Sequence, residues 1–283
     1  TEAEFRAMCQ EAHKYGVKVI VDAVMNHCSS EYPAISKNIK NLAGAGDPQT
    51  LLFHDMTKGG IDERDRFLTT QRPMGGLWDW NTQSKTVQDY HLAFLKQCVA
   101  DGADGFRYDA AKCIELPDDT SPQYGSSFAS AYWPTVLQNG ASFQYGEVLQ
   151  EGGNHNYVAA MVRGGYDDND SSRLASYHSL NMRTTASFYG MRVRDAIRYK
   201  NMNVKYLADW LLPSGVSPLN TVTWVESHDS YCNESTYKVL DSQEVILAYA
   251  IIAGRAAGTP LFFDRPKNST KSKPWGDNRI GPA

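Results

Sequence analysis

Three carboxylates close short apolar segments of this sequence: Asp109 in GFRYDAAKC (105–113), Glu147 in FQYGEVL (143–149) and Asp229 in TWVESHDSY (223–231). A fourth segment of the same kind, VIVDAVMNH (19–27), ends in Asn26 and His27. A carboxylate at the end of an apolar run is costly unless it is paired or used. Four such segments in order argue for an active site at one rim of a barrel. Arg107 stands two residues before Asp109, and strand alternation puts both side chains on one face. A guanidinium there keeps the carboxylate ionised, as a nucleophile requires; a structural Arg–Asp pair is the alternative. Glu147 sits among Phe143, Tyr145 and Val148, an apolar setting that raises a carboxyl pKa as a general acid needs. Its alternative is a strand-end Glu facing solvent or capping the next helix. His228 and Asp229 could bind hydroxyls and stabilise positive charge, or order a loop. Asp22, Asn26 and His27 could hold a hydroxyl or a metal, or form an Asx-type turn. Two carboxyls across a cleft are what glycoside hydrolysis needs. Tyr32, Trp78, Trp80 and Tyr231 fall in predicted rim loops, where they would stack on sugar faces or simply pack.

The elements that must position these groups are legible as alternating strands and helices. Thr1 and Glu4 form a capping-box pattern, with Phe5, Met8, Cys9, Ala12 and Tyr15 at helical spacing behind it. Gly16 ends that helix, and VKVIVDAV follows as a near-continuous apolar strand of the parallel-sheet kind. Further helices are predicted over 85–99, 126–137, 193–199, 206–212 and 243–257. Strands are predicted over 17–25, 103–109, 142–148, 183–189, 220–226 and 259–263. This rhythm means a doubly wound sheet or a TIM-type barrel, and both gather ligands at the C-terminal ends of the strands. The stretch from Cys28 to Gln83 breaks the rhythm and is rich in Gly, Asn, Asp and Pro, so it reads as an excursion from the rim.

Composition narrows the function classes. The 283 residues carry a net charge of −4 and no Lys/Arg stripe, which argues against nucleic acid or anionic membrane as a partner. No apolar stretch is long enough to span a bilayer; the best, Val245 to Ala257, is interrupted by Gly254 and Arg255 and reads as a buried helix. No Gly-rich phosphate turn follows any strand, which removes the main support for a nucleotide cofactor. Five cysteines without close spacing read as free, mostly buried thiols rather than a zinc site or disulfide framework.

DAVMNH, GFRYDAAK, GEVL and ESHD, in this order, resemble the four signature regions of the α-amylase family of glycoside hydrolases. LWDWNTQ, FQYGE, TWVESHD and GTPLFF resemble in particular its secreted bacterial saccharifying members. The resemblance implies a TIM-type (β/α)8 barrel, incomplete here at about six strands. Residues 1–27 and 85–283 would be barrel, and 28–84 a subdomain inserted after the third barrel strand. It implies retaining endo-hydrolysis of α-1,4-glucosidic bonds in starch, amylose and maltodextrins, by a secreted monomer; an α-glucosidase or transglycosylase of the same family, or a catalytically silent glucan-binding relative, is the alternative. Asp109 would be the nucleophile, Glu147 the acid/base and Asp229 the transition-state stabiliser. His27, Arg107 and His228 would contact substrate or orient the carboxylates, and Lys112 would line the aglycone side. A structural Ca²⁺ is implied, held by Asn26, Asp79, a carbonyl near Thr70 and the carbonyl of Cys113; oxygen donors suit that ion.

The chain departs from the family pattern in two places. Cys113 stands where the family has histidine, so a main-chain calcium contact survives while an imidazole contact to sugar is lost. Altered preference beyond the cleavage point is expected, and Cys113→His with an unchanged product pattern would remove that idea. The resemblance makes the region-one strand the family's third, so the first two barrel strands and the C-terminal β-domain are expected to fall outside this sequence. Residues 1–283 alone are therefore expected to fold poorly and be nearly inactive.

Overall fold

The computed structural model describes residues 1–62, 65–121, 126–148, 182–210, 212, 216–232, 235–270 and 272–276. It has two compact units: one comprises Thr1–Val148, and the other runs from Thr184. The first unit opens with α1 (Glu2–Lys14), whose capping box between Thr1 and Glu4 is formed in full. It leads into β1 (Ile20–Ala23). After the excursion come α2 (Lys85–Ala100) and β2 (Gly105–Tyr108), then α3 (Tyr132–Val136) and β3 (Phe143–Gly146). The three strands are parallel, with β2 central and Arg107 in register with Asp22 on one side and Tyr145 on the other. Such pairing needs helical crossovers, which α2 and α3 provide. Phe106, Tyr108, Leu95, Tyr132 and Trp133 are buried together between the strands and these helices.

Gly105 is where a side chain is forbidden. A Cβ there would stand 2.2 Å from the Phe143 carbonyl oxygen and 2.7 Å from Ile20 Cδ1. From Cys28 to Gln83 the described chain makes short helical turns, packed around Ile35, Leu52, Phe53 and Trp80.

The second unit holds Thr184 and Thr185 of β4 (Arg183–Thr185), with β5 (Thr221–Thr223) and β6 (Thr259–Pro260), again parallel with the middle strand paired on both sides. Its helices include α4 (Ser187–Arg198), α5 (Val204–Ala208), α6 (His228–Cys232) and α7 (Ser242–Ala253). Tyr189, Val193 and Ala196 of α4 pack with Ala248 and Ile252 of α7 in its core.

The alternation of parallel strands and helices is that of an incomplete TIM-type barrel, with six such strands in chain order among the described residues. Several boundaries differ from expectation. The 183–189 strand stops at Thr185, and Ser187 already begins α4. Its aromatic and β-branched residues look strand-like, but Tyr189 and Val193 bury at helical spacing. The helix expected from 126 begins at Tyr132, because Ser126–Ser127 pair antiparallel with Thr120–Ser121. The helix expected over 243–257 ends at Ala253, before Gly254. It is only half buried, since Ile246 and Leu247 are exposed. Leu149 of the third motif and Leu211 of the expected 206–212 helix lie outside the described residues. All five cysteines are free thiols. Among the described residues, no helix is long and apolar enough to cross a membrane.

Candidate active site

In the first unit the site is built at the C-terminal ends of three adjacent strands. Arg107 projects from β2, and its Nη1 donates to Asp22 Oδ1 at 2.6 Å and to Asp109 Oδ1 at 2.8 Å. Its Nη2 forms an ion pair with Glu147 Oε1 at 2.6 Å. One largely buried guanidinium therefore meets carboxylates from β1, β2 and β3 ends at once. The pairing raises the already high pKa of the arginine, against the cost of its burial. The planar fork suits this task, because its N–H groups point in fixed directions.

The backbone holds the two central carboxylates in place. Asp109 N–H donates to the Ala23 carbonyl, and Glu147 N–H to the Tyr108 carbonyl, each continuing the parallel ladder by one step. Ala110 then takes the left-handed conformation (φ 46°, ψ 36°). That region costs a non-glycine residue energy and persists where surroundings enforce it. The turn points Ala110 N–H at Glu147 Oε2, 3.1 Å away. Burial pushes the Glu147 carboxyl above its ordinary range, and Arg107 and the Ala110 amide only partly oppose it. His27 Nε2 lies 3.9 Å from Asp109 Oδ2, and burial lowers its pKa, so this imidazole is neutral near pH 7. Lys112 follows in the buried turn Ala111–Cys113. Arg66 fixes that turn by donating to the Lys112 and Ile114 carbonyls while paired to Asp119 at 2.9 Å.

Three of the four predicted calcium residues, Asn26, Asp79 and Thr70, fall in a buried polar chain of the same unit. Asn26 Nδ2 donates to Asp79 Oδ1 at 2.9 Å, and His54 Nδ1 lies 2.7 Å from Asp79 Oδ2. His54 Nε2 stands 3.8 Å from Glu115 Oε1, which accepts from Gln71 Nε2 at 2.5 Å. Gln71 Nε2 also reaches the Thr70 carbonyl at 3.3 Å. Asn26, Asp79 and Thr70 are thus linked through three residues that the sequence did not single out. Cys113 is buried two positions before Glu115. Burial drives the Asp79 carboxyl well up and the His54 imidazole down. Among the described residues, no cluster of three or more His, Cys, Asp or Glu is arranged to hold a metal. The expected ligand set differs in kind, with one carboxylate, one amide and two main-chain carbonyls.

In the second unit His228 and Asp229 open α6, with His228 Nε2 3.4 Å from Asp229 Oδ2. Their side chains are 58% and 43% exposed. Trp80 and Tyr231 are buried, and Tyr32 packs on Trp78 at 4.7 Å between centroids. Trp80 and Tyr231 are packing residues here, while Tyr32 and Trp78 keep part of their surface exposed.

Parallel strands with helical crossovers, carrying carboxylates at their C-terminal ends, define an α/β-barrel protein with a strand-end site. The chain belongs to the α-amylase family: the family model for the alpha amylase catalytic domain matches residues 1–205. It is 41% identical to an alpha-amylase of Butyrivibrio fibrisolvens, over 99% of this chain and 29% of that protein. It is 32% identical to an alpha-amylase of Clostridium acetobutylicum, over 98% of this chain and 33% of that protein. The chain therefore spans a third or less of the length of these relatives. Among solved structures, a gamma-CGTase from alkalophilic Bacillus clarkii matches 92% of this chain and 35% of its own, with a TM-score of 0.62 at 19% identity. An alpha-amylase from Malbranchea cinnamomea matches 81% of this chain and 43% of its own, at TM-score 0.57 and 18% identity. At these identities the likeness is one of fold.

Proposed function

We propose that the full-length protein hydrolyses α-1,4-glucosidic bonds within starch-like polysaccharides with retention of configuration. The observation that carries this reading is the shared guanidinium of Arg107, which brings Asp109 and Glu147 to neighbouring nitrogens of one planar group. That supports the short carboxyl separation of retaining pairs, about 5–5.5 Å, rather than the wider inverting one. Asp109 is the nucleophile, its carboxylate held 2.8 Å from Arg107 Nη1. Glu147 is the acid/base: its raised pKa keeps a proton available for the leaving oxygen. After glycosyl transfer to Asp109, the ionised Glu147 takes a proton from water, which hydrolyses the ester and restores both groups. Asp229 stabilises the positive charge that develops on the sugar ring. Arg107, His27 and His228 orient these groups or contact hydroxyls, and Lys112 lines the leaving-group side.

A structural Ca²⁺ fits the buried chain around Asp79. Two buried carboxylates, Asp79 and Glu115, face one imidazole that burial keeps neutral, and His54 Nε2 is buried without a hydrogen-bond partner. A cation offsets that charge, and the oxygens of Asn26, Asp79, Thr70 and Cys113 are hard donors of the right kind. These residues would hold the ion between the segment after β1 and the excursion, which we read as a subdomain over 28–84, and the bound ion would supply a structural cross-link there. Polymeric starch as substrate implies secretion, and we propose a monomer.

The test is the anomeric configuration of the first product released from amylose by the full-length protein, followed by NMR. The α-anomer is expected, with Asp109→Asn and Glu147→Gln each losing activity. Release of the β-anomer would overturn the mechanism. Action on maltose but not amylose would instead indicate an α-glucosidase.

A further inference from the structure

Asp229 stands on a four-residue turn whose flanks are held by one arginine. Before the turn, Glu226 is fully buried, and its carboxylate accepts from Arg265 Nε at 2.8 Å and Nη2 at 2.6 Å. Thr236 Oγ1 donates to the same carboxylate at 2.6 Å, and Arg265 also donates to the Leu240 carbonyl. After the turn, Tyr231 is fully buried, and the Arg265 guanidinium lies over its ring, 5.6 Å from the centroid. Between these anchors, Ser227 and Ser230 cap each other: Ser227 N–H donates to Ser230 Oγ at 2.8 Å and Ser230 N–H to Ser227 Oγ at 3.1 Å. Tyr249 Oη closes the frame, donating to the Glu226 carbonyl at 3.2 Å and accepting from Phe263 N–H at 2.8 Å. His228 and Asp229 lie between these anchors with partly exposed side chains.

A buried ion pair is a poor source of stability, because desolvation cancels most of its attraction, and an apolar pair of similar volume often serves as well. What a bidentate fork adds is direction. We propose that Arg265, gripping Glu226 on one side and stacking on Tyr231 on the other, is a positioning residue that sets where Asp229 stands. It touches no substrate. Its effect reaches the reaction through Asp229, so the inference rests on the role given to Asp229 above.

The experiment uses the full-length protein with maltooligosaccharide substrates. Arg265→Lys keeps the charge and loses the fork. The double variant Glu226→Leu/Arg265→Met removes charge and fork together and keeps apolar volume in the core, so it tests the idea if Arg265→Lys does not fold. Each is expected to melt cooperatively with kcat reduced about tenfold or more and KM within about twofold, the pattern of a lost transition-state interaction. In an Asp229→Asn background the same changes are expected to add little further loss, since they act through that residue. Wild-type kcat in a folded variant, or losses that multiply in the Asp229→Asn background, would overturn the positioning role. Full activity of Asp229→Asn alone would instead overturn the reading of the site.

Discussion

Arg107 shows how one residue couples the chemistry of several. Its contacts to Asp22, Asp109 and Glu147 need a planar fork, and a lysine at that position offers a single point charge. Arg107→Lys is therefore expected to lower kcat/KM at least tenfold, about 1.4 kcal/mol of transition-state stabilisation, in steady-state assays. Activity within twofold of the parent would contradict this. Glu147 sets the pH response. Its carboxyl lies above the ordinary range because of burial, so the protonated acid persists to higher pH. The alkaline limb of kcat/KM should lie clearly above the pKa of a free Glu, about 4.3. A limb at or below that value would remove Glu147 from the role of acid.

At the scale of elements, the strands place the carboxylates and the excursion locks their loops. Gly105 permits the close approach of β2 to β3. Gly105→Ala drives a Cβ into the Phe143 carbonyl, a backbone atom that cannot rotate away. A loss of about 1–3 kcal/mol is expected on thermal or denaturant melting, as for an overpacked core. An unchanged midpoint would contradict the register. Asp79 ties the excursion to β1, and its carboxyl is held high by burial. Without a cation, the stability tied to this raised pKa is present below the unfolded value and fades as pH rises through the folded one. Calcium needs the ionised form, so its protection should grow with pH and vanish in acid. Melting of the full-length protein with calcium or chelator should show this, and Asp79→Asn should abolish it. A calcium response surviving in that variant would remove Asp79 from the site.

Much of this layout was legible in the sequence, for physical reasons. Strand-end carboxylates announce themselves because an apolar run rarely ends in a charge, and the Arg107–Asp109 alternation follows from strand geometry. Contacts made across long sequence separations were not legible: the reach of Arg107 to Glu147, the Ala110 amide on Glu147, and His54 between Asp79 and Glu115. Only HD after an apolar run in LLFHDM hinted at the last. The 183–189 segment misled because Phe188 and Tyr189 carry strand propensity while the core selected helical spacing.

At the scale of the whole molecule, each unit has its own core, and each carries part of the proposed chemistry: Asp109 and Glu147 in the first, Asp229 in the second. Apolar residues stand exposed at Ile20 and Val24 in or beside β1 and at Phe262 beyond β6, at the outer strands of the two units. The proposed activity is that of the full-length protein, and the central claim is that its first chemical step bonds a sugar to Asp109. Trapping with a slow fluorinated α-glucosyl substrate, then peptide mass spectrometry, tests this most directly. One glucosyl adduct on the Asp109 peptide, absent from Asp109→Asn, is expected. An adduct on Glu147 or Asp229, or turnover with no adduct and inverted product, would contradict it.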